Sequence, residues 1–294
     1  MTSLKESLKY PISNLKDVLV VGTIFLVAAL INYILIINGH QDTLELIIIN
    51  FLVGAFVFGF LITIVRFTLE EKDKIPIFYF KKHFKLGIKA SILKTLYFII
   101  PTIFIIILSI SMGTHVNAVN GVLNSTIDSL NQSYHLSGIE YANTIFNVFL
   151  NKNNWTIAIF GLIIYIIFDG LTFMAYGRLA ETGSLKKSLN LKLIYYKFVT
   201  YGWKNFTKWY IQFLIIAEIF LLISALLSLI PYVGFIIVSF LVTPYYLMFK
   251  YRSIGDMYET VTDYDDENSI LIKGIDEISK GLEDIKTEID DKIN

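Results

Sequence analysis

Two carboxyl groups fall inside otherwise apolar runs: Asp169 in IIFDGLTFM and Glu218 in IIAEIFLL. A carboxyl inside a bilayer is costly and usually faces a partner, a cavity or a path. The chemistry it points to is a proton or cation site, with Arg66 or Arg178, at the ends of apolar runs, as counter-charge. The alternative is a carboxyl that only hydrogen-bonds a neighbouring helix. Asn32, Asn50 and Gln212 read as inter-helix hydrogen bonds of that kind.

The other chemistry-bearing residues form no pattern. His40, His83, His115 and His135 are scattered outside the apolar runs and none shows a ligand spacing such as His-x-x-x-His. The chain has no cysteine, which excludes disulfides, thiolate nucleophiles and Cys-ligated metals. There is no Gly-x-Ser-x-Gly, no phosphate-binding glycine loop and no His-Glu-x-x-His. Intramembrane protease signatures are missing as well. The sequence therefore predicts no catalytic residues, no metal and no cofactor, and disfavours an enzyme. Its lysine-rich segments are explained by anionic lipid rather than by nucleic acid.

These residues sit in a chain built for a membrane. It has 294 residues, 55% of them hydrophobic and 17% charged, with a mean hydropathy of +0.61. Soluble domains carry about 25% charged residues. Six runs are long enough to cross about 30 Å of hydrocarbon, at residues 18–37, 44–67, 91–112, 155–176, 210–230 and 233–249. The runs are continuous rather than alternating, so the expected class is all-α: a polytopic six-transmembrane-helix bundle. The first run follows a polar stretch and lacks a small-residue cleavage site, so it reads as a retained span. Pro101 lies within the third run, where a kink is expected.

The basic residues set the orientation. Lys5, Lys9 and Lys16 precede the first span, eight basic residues lie between Arg66 and Lys94, seven between Arg178 and Lys208, and Lys250 and Arg252 follow the last span. Residues 38–43 hold no lysine or arginine, and residues 113–154 hold only Lys152. Six spans place every cluster on one side, which predicts a cell-membrane protein with both termini cytoplasmic. Trp155, Trp203, Trp209, Tyr210, Tyr245, Tyr246 and Tyr251 flank predicted span ends and read as interfacial aromatics. Pro231-Tyr232-Val233-Gly234 reads as the tight turn between the last two spans.

The basic segments carry their own periodicity. Phe80, Phe84, Ile88 and Ser91 recur beside lysines, as do Leu185, Leu189, Leu193 and Tyr196. Both suit amphipathic helices in the cytoplasmic interface that bind membrane lipids. Residues 113–154 form an outside loop with Asn-x-Ser/Thr triplets at Asn124, Asn131 and Asn154. Residues 259–294 form an acidic tail with 4 basic and 12 acidic groups. Within it Leu271, Ile275, Ile278, Leu282, Ile285 and Ile289 step as a heptad seam. Residues 270–293 would accordingly join a second copy or a protein partner, or dock as a solvated helix on the basic face.

Two stretches resemble one another, VRFTLEEKDKIPIFYFKKHFKLGIKASILKTLYFII from Val65 and GRLAETGSLKKSLNLKLIYYKFVTYGWKNFTKWYIQFLI from Gly177. Each opens with arginine at a span end, continues through an acidic residue and a lysine-bearing amphipathic segment, and re-enters the membrane. A parallel repeat of this kind occurs in transporters and elsewhere. Together with LKYPISNLKDVLVVGTIFLV at the start and IPYVGFIIVSFLVTPYYLMFKYRSIGDMY near the end, these motifs follow the order of a known family. The chain resembles, over residues 4–258, the archaeal integral membrane family catalogued as domain of unknown function 4013. The resemblance implies a multi-span membrane protein and no defined chemistry. Two functions remain open: a non-enzymatic scaffold or accessory protein of the membrane, and a small-solute or lipid transporter using Asp169 and Glu218.

Overall fold

A computed structural model describes residues 2–38, 44–111, 155–230 and 232–260. The expected outside loop and the acidic tail with its heptad seam lie outside the described residues. Within them the structure is helical, without a strand. Six helices are long and apolar enough to span a membrane.

The chain opens with α1 (Thr2–Ser13), then α2 (Leu15–Ile37) and α3 (Leu44–Leu69). A loop leads to α4 (Phe80–Ser111), and α5 covers Trp155–Thr182. Two short helices follow, α6 (Leu185–Ser188) and α7 (Leu191–Tyr201). Gly202, at φ +85°, turns the chain directly into α8 (Trp203–Ser228). The last helix, α9, covers Val233–Thr260 and contains one π turn at Val238–Val242.

Small residues decide how closely the spans approach. A Cβ on Gly59 of α3 would run into the His83 carbonyl, and one on Gly87 of α4 into the Ala55 carbonyl. Ala55-x-x-x-Gly59 thus meets His83-x-x-x-Gly87 backbone to backbone, the small-residue contact that membrane helices use in place of a hydrophobic drive. Gly22 of α2 meets the Phe240 carbonyl, which belongs to the π turn of α9. The result is a central α3 and a peripheral α8. Burial covers 61% of the most apolar window of α3 and 6% of that of α8.

Several expectations change. Residues 80–91 do not form a separate interfacial helix but the first turns of α4. The Gly59–Gly87 contact draws those turns onto α3, and His83 is buried rather than in an extramembrane loop. Its Nδ1 lies 3.1 Å from Thr63 Oγ1. Its Nε2 lies 3.1 Å from the Ile77 carbonyl, which only accepts, so Nε2 carries the hydrogen. The second expected segment is not one helix: Leu189 and Asn190 break it into α6 and α7, and α7 buries Ile194 and Phe198 rather than Leu193 and Tyr196. Trp209, Tyr210 and Tyr251 are buried between helices. Their rings pack against Phe173, Phe213 and Tyr176 and bury apolar area there. Finally, α9 continues eleven residues beyond the expected end of the sixth span, to Thr260.

Candidate functional site

Most of the buried polar groups lie toward one end of the bundle, formed by α1, the 70–79 loop, the start of α4, the end of α5, α6, α7 and the end of α9; Thr102 of α4, 2.6 Å from the Tyr165 hydroxyl, lies farther along. Side-chain bonds between elements distant in sequence tie this end together. Tyr245 of α9 donates to the Leu8 carbonyl at 2.6 Å, Lys89 of α4 to the Gly183 carbonyl at 2.5 Å, and Tyr97 to the Ser188 carbonyl at 3.3 Å. The first of these bonds joins α1 to α9, so the first and last described helices are neighbours.

Asp169 is buried on α5, one turn before Phe173. Tyr210 of α8 donates to its Oδ2 at 2.9 Å. Gly170 beside it leaves room for the Phe206 ring, whose stack on Tyr210 (centroids 5.3 Å apart) aims the tyrosine hydroxyl at the carboxylate. Tyr176 and Tyr251 lie within electrostatic range of the Asp169 charge. The same aromatic group holds Lys250 of α9, also buried, with Nζ 5.6 Å from the Phe173 ring centre and 6.0 Å from that of Tyr251. The site is therefore a carboxylate, an ammonium and three tyrosines set in packed rings. Such a set holds a proton or a charge in place.

The other residues singled out by sequence lie elsewhere. Glu218 is on the exposed face of α8, between Ile215 and Leu222. Arg66 is half-exposed at the end of α3 and pairs with Glu70 at 2.9 Å. Lys72 also bonds Glu70, and these two cations hold its carboxyl below the ordinary glutamate range. Arg178 pairs with Glu181 at 2.8 Å, and Tyr258 of α9 donates to that carboxylate at 2.7 Å. Lys197 of α7 is buried with Nζ 4.8 Å from the Tyr258 ring centre. Neither arginine is placed at Asp169. Asn50 lies on α3, and of the Asn32 side chain nothing is described.

A second cluster was not singled out in the sequence. Ser7 of α1 donates to Asp256 of α9 at 2.5 Å. Arg252 reaches Asp256 at 3.4 Å, Asp73 at 3.1 Å and the Lys72 carbonyl at 2.9 Å, and lies over the Tyr10 ring at 5.0 Å. Burial raises the Tyr10 hydroxyl well above the ordinary tyrosine range. One signal was available: Arg252-x-x-x-Asp256 repeats the spacing of Arg66-x-x-x-Glu70. Ser7 and Lys250 carried none, because a serine in a polar segment and a lysine at a span end are what positive-inside topology already supplies. Among the described residues no three His, Asp or Glu side chains converge on a metal position.

Six apolar spans around a charged and aromatic core, with most of their buried polar groups toward one end, define a polytopic α-helical membrane protein. The chain belongs to the family described as protein of unknown function (DUF4013), whose model matches residues 44–232. The match takes in α3 to α8 and the whole internal repeat, and stops short of α1, α2 and α9. No curated protein and no solved structure matches the chain.

Proposed function

We propose that the chain is a non-enzymatic scaffold or accessory protein of the cell membrane, with the basic end and both termini cytoplasmic. The observation that supports this most directly is where the charged side chains go. Asp169 is capped by Tyr210 inside packed rings, Glu181 by Arg178 and Tyr258, and Asp256 by Ser7 and Arg252. Polar groups used in this way fasten helices to one another and leave a firm inner face. The basic segments around α6 and α7 supply lipid contact, and the acidic heptad tail supplies the attachment for a protein partner or a second copy. Orientation is tested by single cysteines in the naturally cysteine-free chain. A cysteine at position 72 or 187 should react only from the cytoplasmic side.

The test of function is to purify the full chain and a 1–263 truncation from native membranes in mild detergent and identify what accompanies each by mass spectrometry. A stoichiometric protein partner lost with the tail is the expected result. An identical partner set and oligomeric state in both would end the scaffold reading. A transporter is the second reading, favoured by the burial of Asp169 and Lys250 in one aromatic group. It predicts that Asp169→Asn or Glu218→Gln abolishes flux while the bundle stays folded, and flux surviving both removes its basis.

A further inference from the structure

The peripheral helix α8 carries a graded face. On a helix of 3.6 residues per turn, Lys204, Lys208, Ile211, Ile215, Leu222 and Leu226 point the same way. All six are exposed. Gln212 and Ile219 flank the stripe on one side, and Glu218 lies on it two turns below Ile211. At the basic end of this face is an open concavity of about 640 Å³, lined by Trp203, Lys204, Thr207, Lys208, Ile211 and Gln212. Neither lysine has an ion-pair partner among the described carboxylates. Four other lysines at this end are committed, Lys72 to Glu70, Lys89 to the Gly183 carbonyl, and Lys197 and Lys250 to buried positions on aromatic rings; Lys186 and Lys187 are exposed like Lys204 and Lys208 but do not line the concavity.

We infer that this concavity binds one anionic phospholipid. The order of groups along α8 matches the order of groups along such a lipid. Two ammonium groups one turn apart face the phosphate. The Gln212 amide, one further turn or about 6 Å deeper, can donate to the ester carbonyls below the phosphate. Ile215, Ile219, Leu222 and Leu226 then form an apolar track for an acyl chain. Trp203, 50% exposed, flanks the head of the site, where an aromatic ring with one polar edge suits the interface. Charge decides the class of lipid: two unpaired lysines with no exposed carboxylate in the lining favour a net-negative headgroup over a zwitterionic one. The site depends on the six-span fold and not on the scaffold reading, so either can fail without the other.

The experiment is native mass spectrometry of the delipidated full chain in mild detergent. The chain is titrated with phosphatidylglycerol, with phosphatidylcholine of the same acyl chains, and with phosphatidylglycerol in the presence of millimolar inorganic phosphate. Lys204→Gln/Lys208→Gln is compared with Lys186→Gln/Lys187→Gln on α6, which removes the same charge from the same end. One phosphatidylglycerol is expected to bind in preference to phosphatidylcholine and to resist phosphate. The first double variant should weaken it about 30-fold, equivalent to about 2 kcal/mol, and the second should leave it within about twofold of the parent. If the first variant does not purify, Lys204→Gln and Lys208→Gln singly should each weaken binding about fivefold. Equal loss in both double variants would show diffuse charge attraction and overturn the site. So would equal binding of the two lipids, or displacement by phosphate, which would indicate a free-anion site.

Discussion

Gly87→Ala tests whether the backbone contact between α3 and α4 organises the bundle. In an isolated helix the change would stabilise, because alanine exceeds glycine in helix propensity by about 1 kcal/mol. Here the added Cβ would meet the Ala55 carbonyl and the backbone nitrogen of Gly59. Neither is the end of a flexible side chain, so the two helices must separate. Overpacking a fitted contact costs about 1–3 kcal/mol, and a rigid obstacle places this case at or above the upper end. Set against the propensity gain, the net loss is about 2 kcal/mol, or a fall of about 4–8 °C in the unfolding midpoint on the scaling for chains of 150–250 residues. Gly59→Ala should behave alike, since its Cβ would meet the His83 carbonyl. The two sites share one contact, so the double variant should lose little more than the worse single one. Thermal unfolding of the purified protein in mild detergent measures all three. A midpoint that rises with Gly87→Ala, or a double variant whose losses add in full, would refute the close-contact account.

Tyr210→Phe removes the donor to buried Asp169 and should cost about 1–3 kcal/mol in the same melt. Asp169→Asn keeps an acceptor for the tyrosine and should cost less; the reverse ranking would contradict the assigned bond. Ser7→Ala should raise hydrogen exchange across α1 while leaving α3 and α5 protected, because Ser7 holds α1 to Asp256; unchanged protection of α1 would count against that strap. Glu70 gives a pH effect of defined sign. Its pairing with Lys72 and Arg66 lowers its folded pKa from 4.5, so the stability it contributes is present above about pH 4.5 and is lost as pH falls further. Glu70 is largely exposed, so solvent screening keeps the contribution under about 1 kcal/mol. Glu70→Gln should flatten the acid limb of the melting profile, and an unaltered limb would show that the pair is thermodynamically silent.

The spans were legible because they are set by one-dimensional quantities. Length and apolar content delimit a helix in lipid, and the structure has six helices long and apolar enough to span, the number expected. Where sequence reading departed from the structure, the deciding interaction was between helices. The lysine spacing of residues 80–91 is that of an interfacial helix, yet Gly59 on another span turns those residues into part of α4. Trp209 and Tyr210 have the composition of an interfacial belt, and their burial against Phe173 on α5 is not visible in that composition. Asp169 and Glu218 were indistinguishable as intramembrane carboxyls. Only the rotation of α8, set by Phe213 and Phe220 packing on Phe249, turns Tyr210 toward Asp169 and Glu218 outward.

The internal repeat has a structural meaning that goes beyond two similar stretches. Three spans run into the basic end, α3, α5 and α9, and each closes with an arginine and an acid one turn on: Arg66–Glu70, Arg178–Glu181 and Arg252–Asp256. Arg66, in the last turn of α3, faces the negative end of its helix dipole, and in all three pairs the acid fixes where the guanidinium points. The three ends also interlock. Gly255 of α9 lies against Thr68 of α3, and Gly177 of α5 against the Tyr258 ring of α9. Tyr258 bonds Glu181, and Arg252 bonds the loop that follows α3. Each acid thus neutralises its own arginine, and Glu181 and Asp256 in addition accept from a hydroxyl on another helix. A ring closed in this way resists opening of the bundle from the basic end. Such resistance is what the proposed scaffold requires of a face on which other molecules assemble, whereas a transport path would have to open and close there.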